Sequence, residues 1–456
     1  MTYRSKSAYR NGGGANGAGP PVIIGGGFAG LSAGALLAER GVPVIVVDAR
    51  PVLGGRATAF RDRVTGEVVD NGQHVMFGCY RETMAFLQRI GAAANVRLQD
   101  ALEIPFLDAA GRRTVLSCPR LPAPWHLLAG VLRWDALPLR DRLSAIRLAR
   151  PLRQARETAD ATSTVAQWLR AHGQTEQLIA WLWEPLAVAA LNQSISEAGA
   201  GPFIRVLAEL FGPDRSASAL VLPTTPLDQM YAEPARFFIE SRGGDVRTSA
   251  LARVITDGTR VTGVQLRDER IHTETVISTV PWHQLGTLFE DLPAPLTGIV
   301  RNASQMRSTP IVTVNLWYDR IVMDDAFVGL HGRAMQWVFD KRRVFGESAS
   351  HLSVVSSAAS ELVTLEAEHL IDLAARELAE SLPGARDATV VRATVVREKQ
   401  ATFSLSPGQP PRPGTATTLK GFYLAGDWTD TGLPGTIESA VVSGHKAANT
   451  MLKGEV

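Results

Sequence analysis

Gly25, Gly27 and Gly30 form a Gly-x-Gly-x-x-Gly pattern between an apolar run at 21–25 and a helical pattern at 29–40. The first glycine permits a tight turn and the second lets a pyrophosphate approach the backbone. The third lets the helix pack on the strand, while Phe28 and Ala29 open the helix whose free N–H groups attract phosphate. Asp48 ends the next apolar run, 18 residues after Gly30, where a carboxylate can bond a ribose hydroxyl. An acidic residue there, with no Arg just before it, argues against a 2′-phosphate. His74 is a titratable group poised near neutral pH and is a candidate proton donor. The sequence repeats the glycine pattern nowhere else between a strand and a helix, so no separate nicotinamide domain is expected.

The elements that must hold these residues are legible in outline. Residues 21–25 read as a buried strand, 29–40 as a helix and 43–48 as a second buried strand, which completes a βαβ unit. Short strands separated by turns follow at 244–282, another strand at 309–318 and an amphipathic helix at 361–381. The C-terminal segment reads strand, loop, then helix from about Pro434. The uncharged run 21–38 has the length of a membrane span but carries five glycines, so it resolves into strand, turn and helix. The first twenty residues, rich in Gly, Asn and Ser with some basic side chains, read as a flexible leader without the apolar core of a signal peptide.

Composition narrows the class. The 456 residues are 45% hydrophobic and 20% charged, which excludes a disordered chain, a coiled coil or a collagen-like fibre. Two cysteines, Cys79 and Cys118, support neither a disulfide framework nor a structural zinc site, and a reducing, cytoplasmic setting is expected. A net charge of +2 with dispersed Arg residues gives no nucleic-acid footprint.

After Asp48 come Ala49-Arg50 and then Gly54-Gly55-Arg56-Ala57. Here the chain resembles the flavin amine oxidase and phytoene desaturase superfamily, in which the Gly-Gly-Arg loop follows the cofactor pyrophosphate. The resemblance implies FAD. The family usually has Glu at position 48, so Asp48 shortens the reach to the ribose. Gly426-Asp427 and Pro434-Gly435-Thr436-Ile437-Glu438 resemble the family's C-terminal flavin motif. That match implies Asp427 on the phosphate and ribityl side. It also implies a helix from near Gly435 aimed at the pyrimidine ring, where reduced flavin carries negative charge. Gly243-Gly244 with Val254 resembles the strand whose backbone meets the adenine.

The run from Val69 to Tyr80, with Gly72, Gln73 and His74, resembles the block that carotenoid and squalene-associated desaturases place against the flavin. Together with 183–186, Leu191-Asn192 and 336–339, it looks most like the hydroxysqualene dehydroxylase family. That resemblance implies reduction of hydroxysqualene to squalene, a precursor of hopanoids, with loss of water. An allylic hydroxyl needs a proton donor to leave, and His74 is the candidate. Trp317, Trp337, Phe339 and Trp428 could offer π-faces to an allylic cation, in a pocket otherwise apolar. The electron donor is not legible. A carotenoid-type desaturase is the alternative enzyme, while an amine oxidase or a non-catalytic prenyl-protein carrier would share the fold.

Residues 121–156 mix Trp125, Leu127, Leu128, Val131, Leu132 and Trp134 with seven Arg and two Asp from 133 onward. This is the composition of a helix lying on anionic lipid, and Pro138 and Pro151 divide it into pieces too short to span. The inner membrane face is therefore an expected partner, with a helical lid as the alternative. The expected fold is α/β, a Rossmann-type FAD-binding domain carrying an inserted α+β substrate domain. The cofactor domain is assigned to 21–100, 240–300 and 395–456, and the substrate domain to 101–239 and 301–394.

Overall fold

The computed structural model describes residues 19–148 and 162–454. The expected leader and residues 149–156 of the basic segment therefore lie outside the described residues, apart from the leader's last two.

Five short strands, most of them apolar, form a wholly parallel sheet in the order 245–247, 45–47, 22–24, 276–278 and 422–424. Strands buried on both faces read as continuous apolar runs, as Val22–Ile24 and Ile45–Val47 do. One face is covered by Phe28–Glu39 and by the long C-terminal helix Ile437–Lys453, with Glu233–Glu240 beside them. The sheet draws strands from all three segments assigned to the cofactor domain.

A seven-stranded sheet forms the second body, in the order 390–403, 308–318, 350–356, 337–340, 327–330, 103–107 and 113–117. Side chains alternate across it. Val312, Val314, Leu316, Val338 and Val354 pack under the helix Ala367–Ser381. Trp337, Phe339 and Val355 face the other way, toward a helical layer between Trp125 and Leu210. The strand Val390–Phe403 stays in this sheet to its last residue, so the substrate body extends past the boundary expected at 394. A small sheet of 76–77, 220–223 and 96–98 joins the bodies.

The helical segment expected at a membrane is broken at Pro138, while Pro151 lies outside the described residues. Trp125–Arg133 ends before Trp134, and Pro138 caps a separate helix, Leu139–Ser144. Among the described residues no helix is long and apolar enough to cross a membrane.

Candidate active site

The turn after the first strand holds its glycines for three different reasons. Gly25 has φ +114°, a conformation L side chains rarely adopt. A Cβ on Gly30 would lie 1.9 Å from the Gly25 carbonyl oxygen, so helix and turn touch only through glycine. Gly27 has an ordinary φ of −90°, and a Cβ there would find its nearest atom 3.8 Å away, at Gly55 Cα. Neither the fold's backbone nor its packing demands glycine at 27. The space above it is left for a ligand, at the N-terminus of the helix that Phe28 and Ala29 begin, and a cofactor pyrophosphate fits there.

Asp48 is buried, and both its oxygens are held by backbone. Gly26 N–H donates to Oδ2 (2.7 Å) and Arg50 N–H to Oδ1 (2.8 Å). The short side chain thus ties the glycine turn to the chain leaving the second strand, next to exposed Ala49. Arg50 donates to the Gly55 carbonyl (2.7 Å), which fixes the Gly54–Ala57 loop alongside. Tyr231, stacked on Phe28 with ring centres 3.6 Å apart, donates to the carbonyls of Gly54 and Ala57 from below.

The two ends of the sequence meet at Arg56. Its guanidinium donates to the Asp427 carboxylate and to the Ala401 carbonyl (2.7 Å) and lies over Trp282. Burial lowers its affinity for a proton, but Asp427 outweighs this and the net shift is upward. Gly426 N–H donates to Ser443 of the C-terminal helix (2.7 Å), and Thr436 caps that helix by accepting from Ser439 N–H (3.2 Å). Gly435 lies against Asp427, just before Ile437 opens the helix. The helix N-terminus expected at the flavin ring is therefore beside the Arg56–Asp427 pair. Val254 lies in a three-stranded antiparallel sheet, paired with Val264. The residues that meet the Asp48–Arg50 edge are Arg247, Ser249 and Ala250.

From this cofactor loop the chain leads directly into a cavity. Asn71 binds the loop, donating to the Arg56 carbonyl through its side chain and to the Thr58 carbonyl (3.0 Å) through its backbone. Gly72 follows, next to Thr313. Gln73, Val75 and Phe77 then line a cavity of about 770 Å³. Its walls include Leu102, Phe106, Leu127, Trp183, Phe211, Phe327, Trp337, Phe339 and Val355, and its mouth includes Trp125 and Ile146. Tyr80, also on the wall, is within hydrogen-bonding reach of Thr436 at the C-terminal helix cap. Burial pushes the Tyr80 hydroxyl far up and the Cys118 thiol up to about 12, so both stay protonated near neutral pH. Among the described residues the wall carries no carboxylate.

Two of the four aromatic residues expected at the substrate, Trp337 and Phe339, line this cavity. The other two do not. Trp317 shares their face of the sheet but pairs with His351, beyond Ser353, which lies opposite Phe339. It donates to Glu67 and stacks on His351, with ring centres 4.1 Å apart. Trp428 is buried in the core of the cofactor body and donates to the Val280 carbonyl (3.0 Å). Trp134, expected at a lipid surface, is only 1% exposed and packs edge-on against Trp181.

His74 alternates away from Gln73 and Val75 and is not on the cavity wall. Its Nδ1 donates to the Gly72 carbonyl (2.7 Å), which leaves Nε2 as an acceptor in the neutral ring. Burial, followed by the Gly72 bond and the charges of Asp70, Lys341 and Arg56, leaves its pKa below the ordinary 6.5. At neutral pH this ring offers a base, not a proton, and this geometry does not support the acid role expected of it.

One group of functional weight escapes sequence reasoning, and one motif residue, Asn192, takes a structural role. Lys341 is wholly buried and pairs with Asp70 (2.9 Å) behind Gln73. Asn192, in a left-handed conformation with φ 50°, bonds Thr309, Thr402 and Ala358, so it staples three elements rather than touching the site. A charged residue directly after the apolar strand 337–340 was the available signal for the first.

Residues 28–452 match the family described as flavin containing amine oxidoreductase. The chain is 28% identical over 443 residues to a hydroxysqualene dehydroxylase of Sinorhizobium fredii, covering 94% of this chain and 97% of that one. It is 30% identical over 438 residues to a hydroxysqualene dehydroxylase of Rhodopseudomonas palustris, with the same coverage. A probable zeta-carotene desaturase of Synechococcus elongatus is 25% identical over 95% of this chain and 98% of that one. Among solved structures, an oxidoreductase from Methanosarcina mazei superposes with a TM-score of 0.75 at 16% identity, covering 94% of this chain and 100% of the other. The glycine turn, the Arg56–Asp427 pair and the capped C-terminal helix thus have a common account: the chain is an FAD-dependent oxidoreductase and belongs to the flavin containing amine oxidoreductase family.

Proposed function

We propose that this enzyme reductively removes the hydroxyl group of hydroxysqualene, giving squalene and water. The observation that carries the reading is the cavity. It is large and mainly apolar, has no carboxylate among its described lining residues, and runs from the cofactor loop to an exposed apolar surface. An amine substrate would enter as a cation and find no anionic partner on that wall, whereas a hydrocarbon chain with one hydroxyl would bury almost all its surface there.

FAD, held by the Gly25–Gly30 turn, the Gly54–Ala57 loop and Asp427, supplies hydride when bound in its reduced form. The chain's own residues do the rest. Phe77 and Val75 exclude water next to the loop, and Trp337 and Phe339 present π-faces where the allylic carbon becomes electron-poor as its C–O bond breaks. With hydride supplied to that carbon by the reduced cofactor, the oxygen would depart with one further proton as water, so atoms and charge balance. Tyr80 and Cys118 are protonated groups on the same wall.

The substrate and product dissolve only in lipid, and the mouth of the cavity suits delivery from it. Trp125 and Leu139 are each 61% exposed, with Leu121, Leu143 and Ile146 also exposed and Arg133, Arg140 and Arg147 among them. Apolar side chains interleaved with cations form a surface for anionic lipid. The cavity opens within it, since Trp125 and Ile146 belong to both.

The test is anaerobic incubation of the photoreduced enzyme with hydroxysqualene, followed by extraction. Squalene in stoichiometric yield with reoxidised flavin is expected. No squalene, together with new double bonds in a carotenoid precursor added to the oxidised enzyme, would overturn the reading in favour of a desaturase.

A further inference from the structure

Lys341 has no exposed surface, and an ammonium so placed must have its hydrogens answered. Its Nζ donates to Asp70 Oδ2 (2.9 Å) and Gln73 Oε1 (2.7 Å), and it lies 4.1 Å from the centre of the Phe345 ring. Asp70 is anchored in turn by accepting from Leu227 N–H (3.2 Å). The arrangement decides which way the Gln73 amide points. An ammonium can only donate, so the amide presents its oxygen to Lys341 and its NH₂ must face away. One of those hydrogens reaches the His74 carbonyl (3.3 Å), and the other has no partner among the described residues. The side chain forms part of the wall of a mainly apolar cavity, whose other polar lining residues are Tyr80, Cys118, Ser218 and Ser357; it lies three residues after Asp70 and two after Asn71, which grips the cofactor loop.

We infer that Gln73 is the group that reads the substrate's hydroxyl, donating from Nε2 to the oxygen of the bond that breaks, and that the Lys341–Asp70 pair is a positioning device for it. The inference deepens the proposed function and rests on its alcohol substrate. The ammonium polarises the amide, which strengthens the N–H facing the cavity. As the C–O bond lengthens, negative charge gathers on the oxygen and the hydrogen bond tightens. A site built around such a donor discriminates against an analogue that lacks the oxygen, because the donor is then left buried and unpaired.

The test compares hydroxysqualene with squalene as ligands of the oxidised, FAD-loaded enzyme, titrated by perturbation of the flavin spectrum. The parent should bind the alcohol about tenfold or more tightly than the hydrocarbon. Gln73→Leu should keep its flavin and its affinity for squalene but lose the preference. The double variant K341M/D70N removes the buried charge pair without leaving either partner alone. It should keep part of the preference, because the amide remains but is free to turn, and it carries the test if Gln73→Leu does not fold. Equal binding of the two ligands by the parent, or an undiminished preference in Gln73→Leu, would overturn the assignment. An undiminished preference in K341M/D70N would overturn the positioning half. If the parent prefers the alcohol and Gln73→Leu does not, yet photoreduced parent enzyme forms no squalene, the proposed reaction fails while the hydroxyl-reading site stands.

Discussion

The cofactor site and the apolar cavity share a border at residues 70–73 but are built in opposite ways. The cofactor site is mostly backbone, a glycine turn, a loop held by carbonyls and a helix N-terminus, with Arg56 and Asp427 as its charged clasp. The cavity is enclosed by residues, most of them apolar, gathered from many elements between Gln73 and Ser357. Backbone recognition requires fixed spacing along the chain, because each N–H must arrive at a set place in one turn. Side-chain enclosure requires only that apolar residues from any element meet. The first leaves a signature in sequence and the second does not, which predicts how each region will break.

The largest effects belong to the glycine turn, where two positions should fail differently. Gly30→Ala drives a Cβ against the Gly25 carbonyl, backbone against backbone, and should destabilise the fold by about 3 kcal/mol or more. Gly27→Val meets no such wall and should unfold at nearly the temperature of the flavin-free parent yet purify without colour, because the branch occupies the pyrophosphate's place. Thermal melts with flavin quantified by absorbance separate the two. Normal flavin content in Gly27→Val would show that the space above Gly27 is not the phosphate site.

The cavity should break in the complementary way. Ala190 lies on its wall, and Ala190→Trp should obstruct it while leaving the residues that hold the cofactor unchanged. Flavin content should stay near one per chain while turnover of hydroxysqualene falls at least about 100-fold, since a substrate excluded from its pocket loses orientation and binding together. A variant that lost flavin and turnover together would mean the two regions are not separable at this border.

That contrast also explains what was legible beforehand. The glycines, Asp48, Arg56 and Asp427 could be placed because local spacing and two motifs constrain them. Trp317, Trp428 and Trp134 were misplaced because a tryptophan's type says nothing about which face or which end of a strand it occupies. Trp317 is on the right face, but it lies four strand positions past Thr313, the partner of the wall residue Val355, and so pairs with His351, away from the cavity. Lys341 was invisible because its partners, Asp70 and Gln73, lie some 270 positions earlier in the chain. The parallel sheet was legible from its apolar runs, whereas the order of the seven-stranded sheet depends on pairings between strands far apart in sequence.

A smaller effect is expected at the mouth. Replacing Trp125, Leu139 and Leu143 with Ser removes exposed apolar side chains that no core contact needs. At about 1.5 kcal/mol each on burial, their loss should weaken partition onto anionic vesicles by on the order of 10³, with the melting temperature unchanged. Sedimentation with vesicles of phosphatidylglycerol and phosphatidylcholine measures this. Equal pelleting of parent and variant would leave the segment as a lid over the cavity. Trp134 is excluded from the set because it is core, and its loss would confound the reading.

The smallest effect is expected at His74, on the border itself. Burial is the first cause of its lowered pKa, and the neighbouring cations Lys341 and Arg56 act with it, against the Gly72 carbonyl and Asp70. The folded protein therefore binds this proton less readily than the unfolded chain, whose histidine titrates near the ordinary 6.5. Stability contributed by the neutral ring is fully present above that pH and is lost as pH falls below it, at no more than about 1.4 kcal/mol per pH unit. His74→Phe removes this dependence, so the gap in melting temperature between pH 7.5 and pH 5.5 should narrow in the variant. Burial also depresses His126, His283, His331 and His445, so part of the gap should remain. Turnover should fall less than about tenfold, with the pH profile unmoved, because a ring that is neutral at the working pH has no proton to give. A loss of 100-fold or more, with the high-pH limb of the profile abolished, would restore His74 as the acid and place the departing oxygen on its side of the strand, opposite Gln73.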